Sequence, residues 1–125
     1  MSVMEDPNMN KGLVELSRDA ILDSNDIELT PIEAFGGIVY IKSITAAERE
    51  RWMKSVKKGE SVEVREMRVK LVALALCSSD GANLFTATDI PKLNEKPDLI
   101  IQALFDAICE CNGLNEDAVD NAEKN

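Results

Sequence analysis

Few residues of this chain could carry chemistry, and their spacing argues against most reactions. Histidine is absent from all 125 residues, which removes Ser/His and Cys/His nucleophile pairs and every imidazole metal ligand. The thiols are Cys77, Cys109 and Cys111, an odd number set in apolar runs and one short of a four-cysteine zinc site. On a helix Cys109 and Cys111 point about 200° apart, so they can neither share a ligand nor pair. They read as packing thiols of a reducing compartment. Asp23, Asn25 and Asp26 open like a calcium loop, but Ile27 stands at the third ligand position and Glu28 where glycine is needed. Gly36-Gly37 lacks the Lys-Ser/Thr that completes a phosphate cradle. Asp98, Gln102, Asp106 and Glu110 recur every four residues, which on a helix makes one solvated ridge rather than a general acid and base pair. No cofactor and no metal are expected.

Composition narrows the class further. With 14 Lys plus Arg against 23 Asp plus Glu, the net charge is −9, so phosphate-backbone contacts would fall to a small basic minority and nucleic acid is not the expected partner. The acidic, Asn-containing start MSVMEDPNMN has neither the basic patch nor the apolar stretch of a signal peptide. No uncharged apolar run reaches membrane-spanning length, and the expected location is the cytoplasm. A chain of this size buries roughly two-thirds of its unfolded surface and needs no metal or disulfide to do so. Asp23-Ser24 is the nearest match to the modified serine of acidic carrier proteins, but the extended pattern that follows argues against it. Residues 1 to 12 read as a flexible arm and 13 to 125 as one domain.

The elements follow from periodicity and punctuation. Leu13, Leu16, Ala20 and Ile21 suggest a short helix from 13 to 22, stopped by Asp23-Ser24-Asn25-Asp26. Residues 27 to 32 and 38 to 42 are extended stretches about Phe35-Gly36-Gly37, a β-hairpin in which Pro31 confines the first arm to an edge. Thr45-Ala-Ala-Glu48 is a capping box opening a helix from 46 to 58 that stops at Gly59. That helix is net basic in an acidic chain, although its late lysines also suit the helix dipole. A second helix is expected to begin after Ser61 and run to about Cys77, and its half from Val69 onward is apolar on every side but Lys70, which places it mid-core. Thr86-Ala-Thr-Asp89 starts a short helix to Leu93, and Pro97 opens the last long one. Gly113 supplies its left-handed cap, Leu114 a Schellman contact to Cys109, and Asn115 the cap of a final short helix from 116 to 123.

The fold expected is therefore α+β: a mostly α-helical single domain with a small antiparallel β-hairpin near the N-terminal third. Leu71, Leu74, Ile101, Leu104 and Phe105 are expected to pack together. On the 46–58 helix Trp52, Met53 and Val56 form a small apolar set among charges, which either contacts a partner or closes the core. Two function classes survive at this point, a binding or assembly module and an enzyme whose site is not visible.

The order of several strings carries a resemblance: Leu16-Ser-Arg-Asp-Ala-Ile-Leu22, Phe35-Gly-Gly-Ile-Val-Tyr-Ile-Lys42, Ile44-Thr-Ala-Ala-Glu-Arg49, Val72-Ala-Leu-Ala-Leu76, Asp80-Gly-Ala-Asn-Leu-Phe85 and Leu104-Phe-Asp-Ala107 leading to Asn112-Gly-Leu114. Taken together the chain resembles the tail assembly chaperones of long-tailed bacteriophages and prophages. Phe35 stands where that family usually has Trp, and Ala34 where a charged residue is common; both keep a bulky apolar residue before flexible backbone. The resemblance implies a non-catalytic chaperone that binds the tape measure protein and assists tail tube assembly. It further implies many copies on one client, hence a homo-oligomer, and absence from the mature virion. The tail tube protein would be reached through a longer form made by a minus-one frameshift. Glu123-Lys124-Asn125 can be encoded by a slippery run, although such a polar end also serves solubility. The alternatives are another small phage assembly or adaptor protein and, third, an unrecognised enzyme.

Overall fold

The computed structural model of the protein describes residues 12–56 and 64–114. In chain order these form α1 (Arg18–Asp23), β1 (Leu29–Ala34), β2 (Gly37–Lys42), α2 (Ala46–Val56), α3 (Val64–Ala75), β3 (Leu76–Cys77), a 3-10 turn (Ala87–Asp89), α4 (Ile90–Leu93) and α5 (Asp98–Asn112). The fold is α+β and mostly helical. The sheet is antiparallel in the order β1-β2-β3.

The core lies where the sequence is apolar on all sides. Leu71, Val72, Ala75, Leu76 and Cys77 have no exposure. Because no face of this segment can be left to water, other elements must surround it. Trp52 and Val56 of α2, Ile41 of β2, and Leu104 and Ile108 of α5 join Leu71, Val72 and Leu76 in one cluster. Val69 and Ala73 meet Leu93 and Ile101 in a second. Of the five residues expected to pack together, Leu71, Ile101 and Leu104 are buried, whereas Leu74 and Phe105 are half-buried against the main cluster.

The helix expected to reach Cys77 ends two residues earlier, and the hairpin becomes a three-stranded sheet. A helix terminus at the centre of the protein would strand its last carbonyls away from water. Extending residues 76 and 77 resolves this. Ile41 pairs with Leu76 and Tyr40 with Cys77, while Leu84 N donates to Leu76 O at 3.2 Å. The chain then reverses through Gly81, at φ +88°. Its turn is closed by Ser78 N to Ala82 O and Gly81 N to Ser78 O, both 2.9 Å.

The β1–β2 hairpin turns on Phe35 and Gly36, at φ 56° and 78°. Two successive positive φ values match the right-handed twist of the flanking strands. Ser43 N donates to Glu28 O at 3.0 Å, and with the observed register this directs the amides of even-numbered β1 residues toward β2. Pro31 therefore falls at an outward position of an edge strand. Its missing amide costs the ladder nothing and breaks the row of donors that a foreign strand would use.

The remaining helices follow their caps. α1 begins at Arg18, later than expected, because the Ser17 hydroxyl accepts from Ala20 N at 3.1 Å and so fixes the start. α5 is preceded by Pro97 and closed by Gly113 at φ 67°, with Leu114 N donating to Cys109 O at 2.7 Å. All but Gly12 of the expected arm over residues 1 to 12, the stop at Gly59, the start after Ser61, and the final helix with its Asn115 cap and Glu123-Lys124-Asn125 ending lie outside the described residues.

Replacing Leu71 by Ala is expected to cost about 2–5 kcal/mol in urea unfolding, the range for a large-to-small change in a full core. Leu74→Ala, at a half-buried position, should cost distinctly less. Equal losses would show that the two sides of α3 are equally enclosed.

Candidate functional site

One end of the protein is built around the start of α2. Glu48 N donates to Thr45 Oγ1 at 3.1 Å and Thr45 N donates to Glu48 Oε1 at 2.9 Å, so the capping box forms as its residue types demand. The second oxygen of Glu48 accepts from Lys42 Nζ at 3.1 Å, with both side chains 13% exposed. Burial alone would raise the Glu48 pKa. The Thr45 amide and the Lys42 ammonium outweigh it and hold the carboxyl below its ordinary value.

Asn112, in the last turn of α5, ties the same corner together. Its Oδ1 accepts from Ile44 N at 2.9 Å, and its Nδ2 donates to Lys42 O at 3.3 Å and to Ile108 O at 3.2 Å. Sequence reading placed Asn112 only beside a helix cap. Nothing local could name partners 68 and 70 residues away. Between this tie and α2 lies an open cleft of about 420 Å³, lined by Ile44, Ala46, Arg49, Glu50, Met53 and Leu114 among others. Ala46, Arg49, Glu50 and Met53 fall on one stripe of α2.

The suggested contact set of Trp52, Met53 and Val56 divides here. Trp52 and Val56 lie in the core, 4% and 9% exposed, so of the two roles left open for the set these two residues take the second and close the core in this conformation. The cause is specific: Trp52 Nε1 donates to Met67 O of α3 at 3.0 Å, which turns that face of α2 inward. Met53 alone reaches a surface, inside the cleft. Lys70 of α3 donates to Ser55 O at 3.1 Å and completes the last turn of α2.

The polar ridge of α5 is also not wholly solvated. Arg68 of α3 donates from Nη1 to Gln102 Oε1 at 2.8 Å and pairs through Nη2 with Asp98 at 2.8 Å, so the first two ridge positions latch α5 to α3. Burial raises the thiol pKa of Cys77, and burial with the nearby Asp106 pushes Cys109 up to about 11. Both thiols therefore stay protonated near neutrality, the opposite of what a nucleophile needs.

Sequence reasoning missed how much apolar surface stays uncovered. Leu13, Val14, Leu16, Ile21 and Leu22, in and before α1, are 55% to 79% exposed, and no α1 residue is buried. At the opposite end Ile38 and Leu99 are 65% and 83% exposed beside the half-exposed Phe35. Lys96 Nζ stands 5.8 Å from the Phe35 ring centre, which places the hairpin tip next to the start of α5. Among the described residues no cluster of three or more Cys, Asp or Glu side chains is arranged to hold a metal ion. No described helix is long and apolar enough to cross a membrane.

Glu48→Gln keeps the capping geometry and removes the charge, so it isolates the Lys42 pair. A carboxyl whose folded pKa is lowered stabilises the protein above its ordinary value of 4.5, and this is lost as pH falls through the folded value. The variant should therefore unfold more easily at pH 7, by about 1 kcal/mol, and match the parent in acid. Asn112→Ala leaves the buried-side partners Ile44 N and Lys42 O unsatisfied and should cost about 1–3 kcal/mol by denaturant melting.

No known family profile matches the chain, and no curated protein matches it. Among solved structures, that of the bacteriophage HK97 tail assembly chaperone is similar over 74% of this chain and 94% of its own length, with a TM-score of 0.53 and 14% sequence identity. At that identity the likeness establishes architecture. The chain thus has the fold of a phage tail assembly chaperone, the fold its ordered strings resemble.

Proposed function

We propose that the protein is a non-catalytic chaperone of phage tail assembly that binds the tape measure protein in the host bacterial cytoplasm and is left out of the mature virion. The observation that carries this is the likeness to the HK97 chaperone across nearly all of that protein's length. A chaperone belongs to a non-enzyme class, and the protonated thiols of Cys77 and Cys109 fit such a role. The reading extends to the tail tube protein, contacted through a frameshifted longer form.

A tape measure protein is a long client, and a non-catalytic partner must hold it through exposed apolar surface. The hairpin-tip end supplies such surface in Phe35, Ile38 and Leu99. This surface is the client contact proposed here in place of Trp52, Met53 and Val56, because Trp52 and Val56 are buried.

Co-expression with the tape measure protein of the same gene cluster tests this. The client is expected in the soluble fraction with this chain and in the pellet without it, and Ile38→Asp with Leu99→Asp should lower the soluble share while leaving the chain's own melting unchanged. Equal client solubility with and without the chain would favour the runner-up, another small phage assembly or adaptor protein.

A further inference from the structure

Two unrelated demands set Asn112 and Gly113 side by side. The end of α5 needs a residue at φ 67°, which is glycine's region of backbone space. The corner needs a short side chain with one acceptor and two donors, because it must take Ile44 N at 2.9 Å while giving to Lys42 O at 3.3 Å and Ile108 O at 3.2 Å. Together these requirements create an Asn-Gly pair, the one place in the sequence where asparagine precedes glycine.

Such a pair carries a reaction of its own. Once the Gly113 amide gives up its proton, its nitrogen can attack Asn112 Cγ and form the N–Cγ bond of a five-membered succinimide. The Cγ–Nδ2 bond breaks, and Nδ2 takes up a proton and leaves as ammonia. Water then opens the ring at one carbonyl or the other, leaving aspartate or isoaspartate. Water is the only other reactant, and nothing is oxidised or reduced. Glycine favours the attack, since without a Cβ it neither shields its nitrogen nor resists the backbone rotation that brings it to Cγ.

The folded corner opposes each step. Gly113 N donates to Cys109 O, and an amide held in this way gives up its proton only when the bond opens. Asn112 is the last residue of α5, and its carboxamide is held by three hydrogen bonds, so Cγ is not free to turn toward the next nitrogen. The product, in contrast, does not fit. Aspartate at this position presents an oxygen where Nδ2 donated, toward the carbonyl oxygens of Lys42 and Ile108, and isoaspartate also reroutes the backbone just before the cap. We propose that Asn112-Gly113 is a self-modification site gated by the fold: chains that stay open at this corner lose the Asn112 amide by intramolecular deamidation and cannot afterwards close it, whereas finished chains are spared.

The purified chain is sufficient for the test, and the result does not depend on the client reading. The chain is incubated at neutral pH with and without unfolding guanidinium chloride, and mass spectrometry follows the conversion of each asparagine to the mass of an acid. Conversion at Asn112 is expected to run at least about tenfold faster in the unfolded chain than in the folded one. In the unfolded chain it should also outpace conversion at Asn83 and Asn94, which precede Leu84 and Glu95. Once the denaturant is removed, converted chains should melt below fresh ones. An Asn112→Ser chain, which has no amide to lose, should melt as it did before the same treatment. Equal rates at Asn112 in the folded and unfolded chain overturn the proposal. So does conversion at Asn112 no faster than at Asn83, or a converted chain that regains the parent's melting temperature.

Discussion

A segment with no polar face must be enclosed, and from Val69 to Cys77 this chain has almost none. The rest of the architecture answers that demand. α2 covers one side of α3, α5 another, and β2 pairs with the segment's end. The switch from helix to strand at Leu76 follows from the same demand, because only a partnered backbone can stop in the middle of a core. Leu93 and Ile101 complete the enclosure around Val69 and Ala73.

Apolar covering does not by itself choose where each element sits, and polar ties at the seams do so. The Trp52 indole fastens α2 to α3. Arg68 fastens α5 to α3 through Gln102 and Asp98. Asn112 and the Lys42–Glu48 pair fasten the sheet to both α2 and α5. Each is directional, and apart from the exposed Asp98 carboxylate each lies at a buried or half-buried position where a mismatched partner would be left unsatisfied. The ties therefore select one arrangement among several that would bury similar area.

What was readable beforehand was what is local. The capping box at Thr45, the left-handed Gly113, the edge role of Pro31 and the enclosed half of α3 all depend on residues a few positions apart. The misread features depend on partners far away. Whether Trp52 met a partner or closed the core stayed open because Met67 O is not in its sequence neighbourhood, and α3 was expected to continue to Cys77 because its pairing with β2 has no local signal. The hydroxyl of Ser17 could have been weighed as a cap and would have shortened α1. The cleft had no local signal, since its walls come from residues 44 to 53 and 112 to 114.

That last separation has a consequence for the order in which the molecule is made. The bonds from Asn112 to Ile44 and Lys42 close a loop of 68 and 70 residues, and chain closure over such spans comes after local structure. During synthesis from the N-terminus, the hairpin and α2 emerge long before Asn112 does. The corner where α2 begins is therefore finished only when the last turn of α5 has left the ribosome. The growing chain spends most of its synthesis without a cleft, and the closed corner is itself a report that α5 has been made and seated.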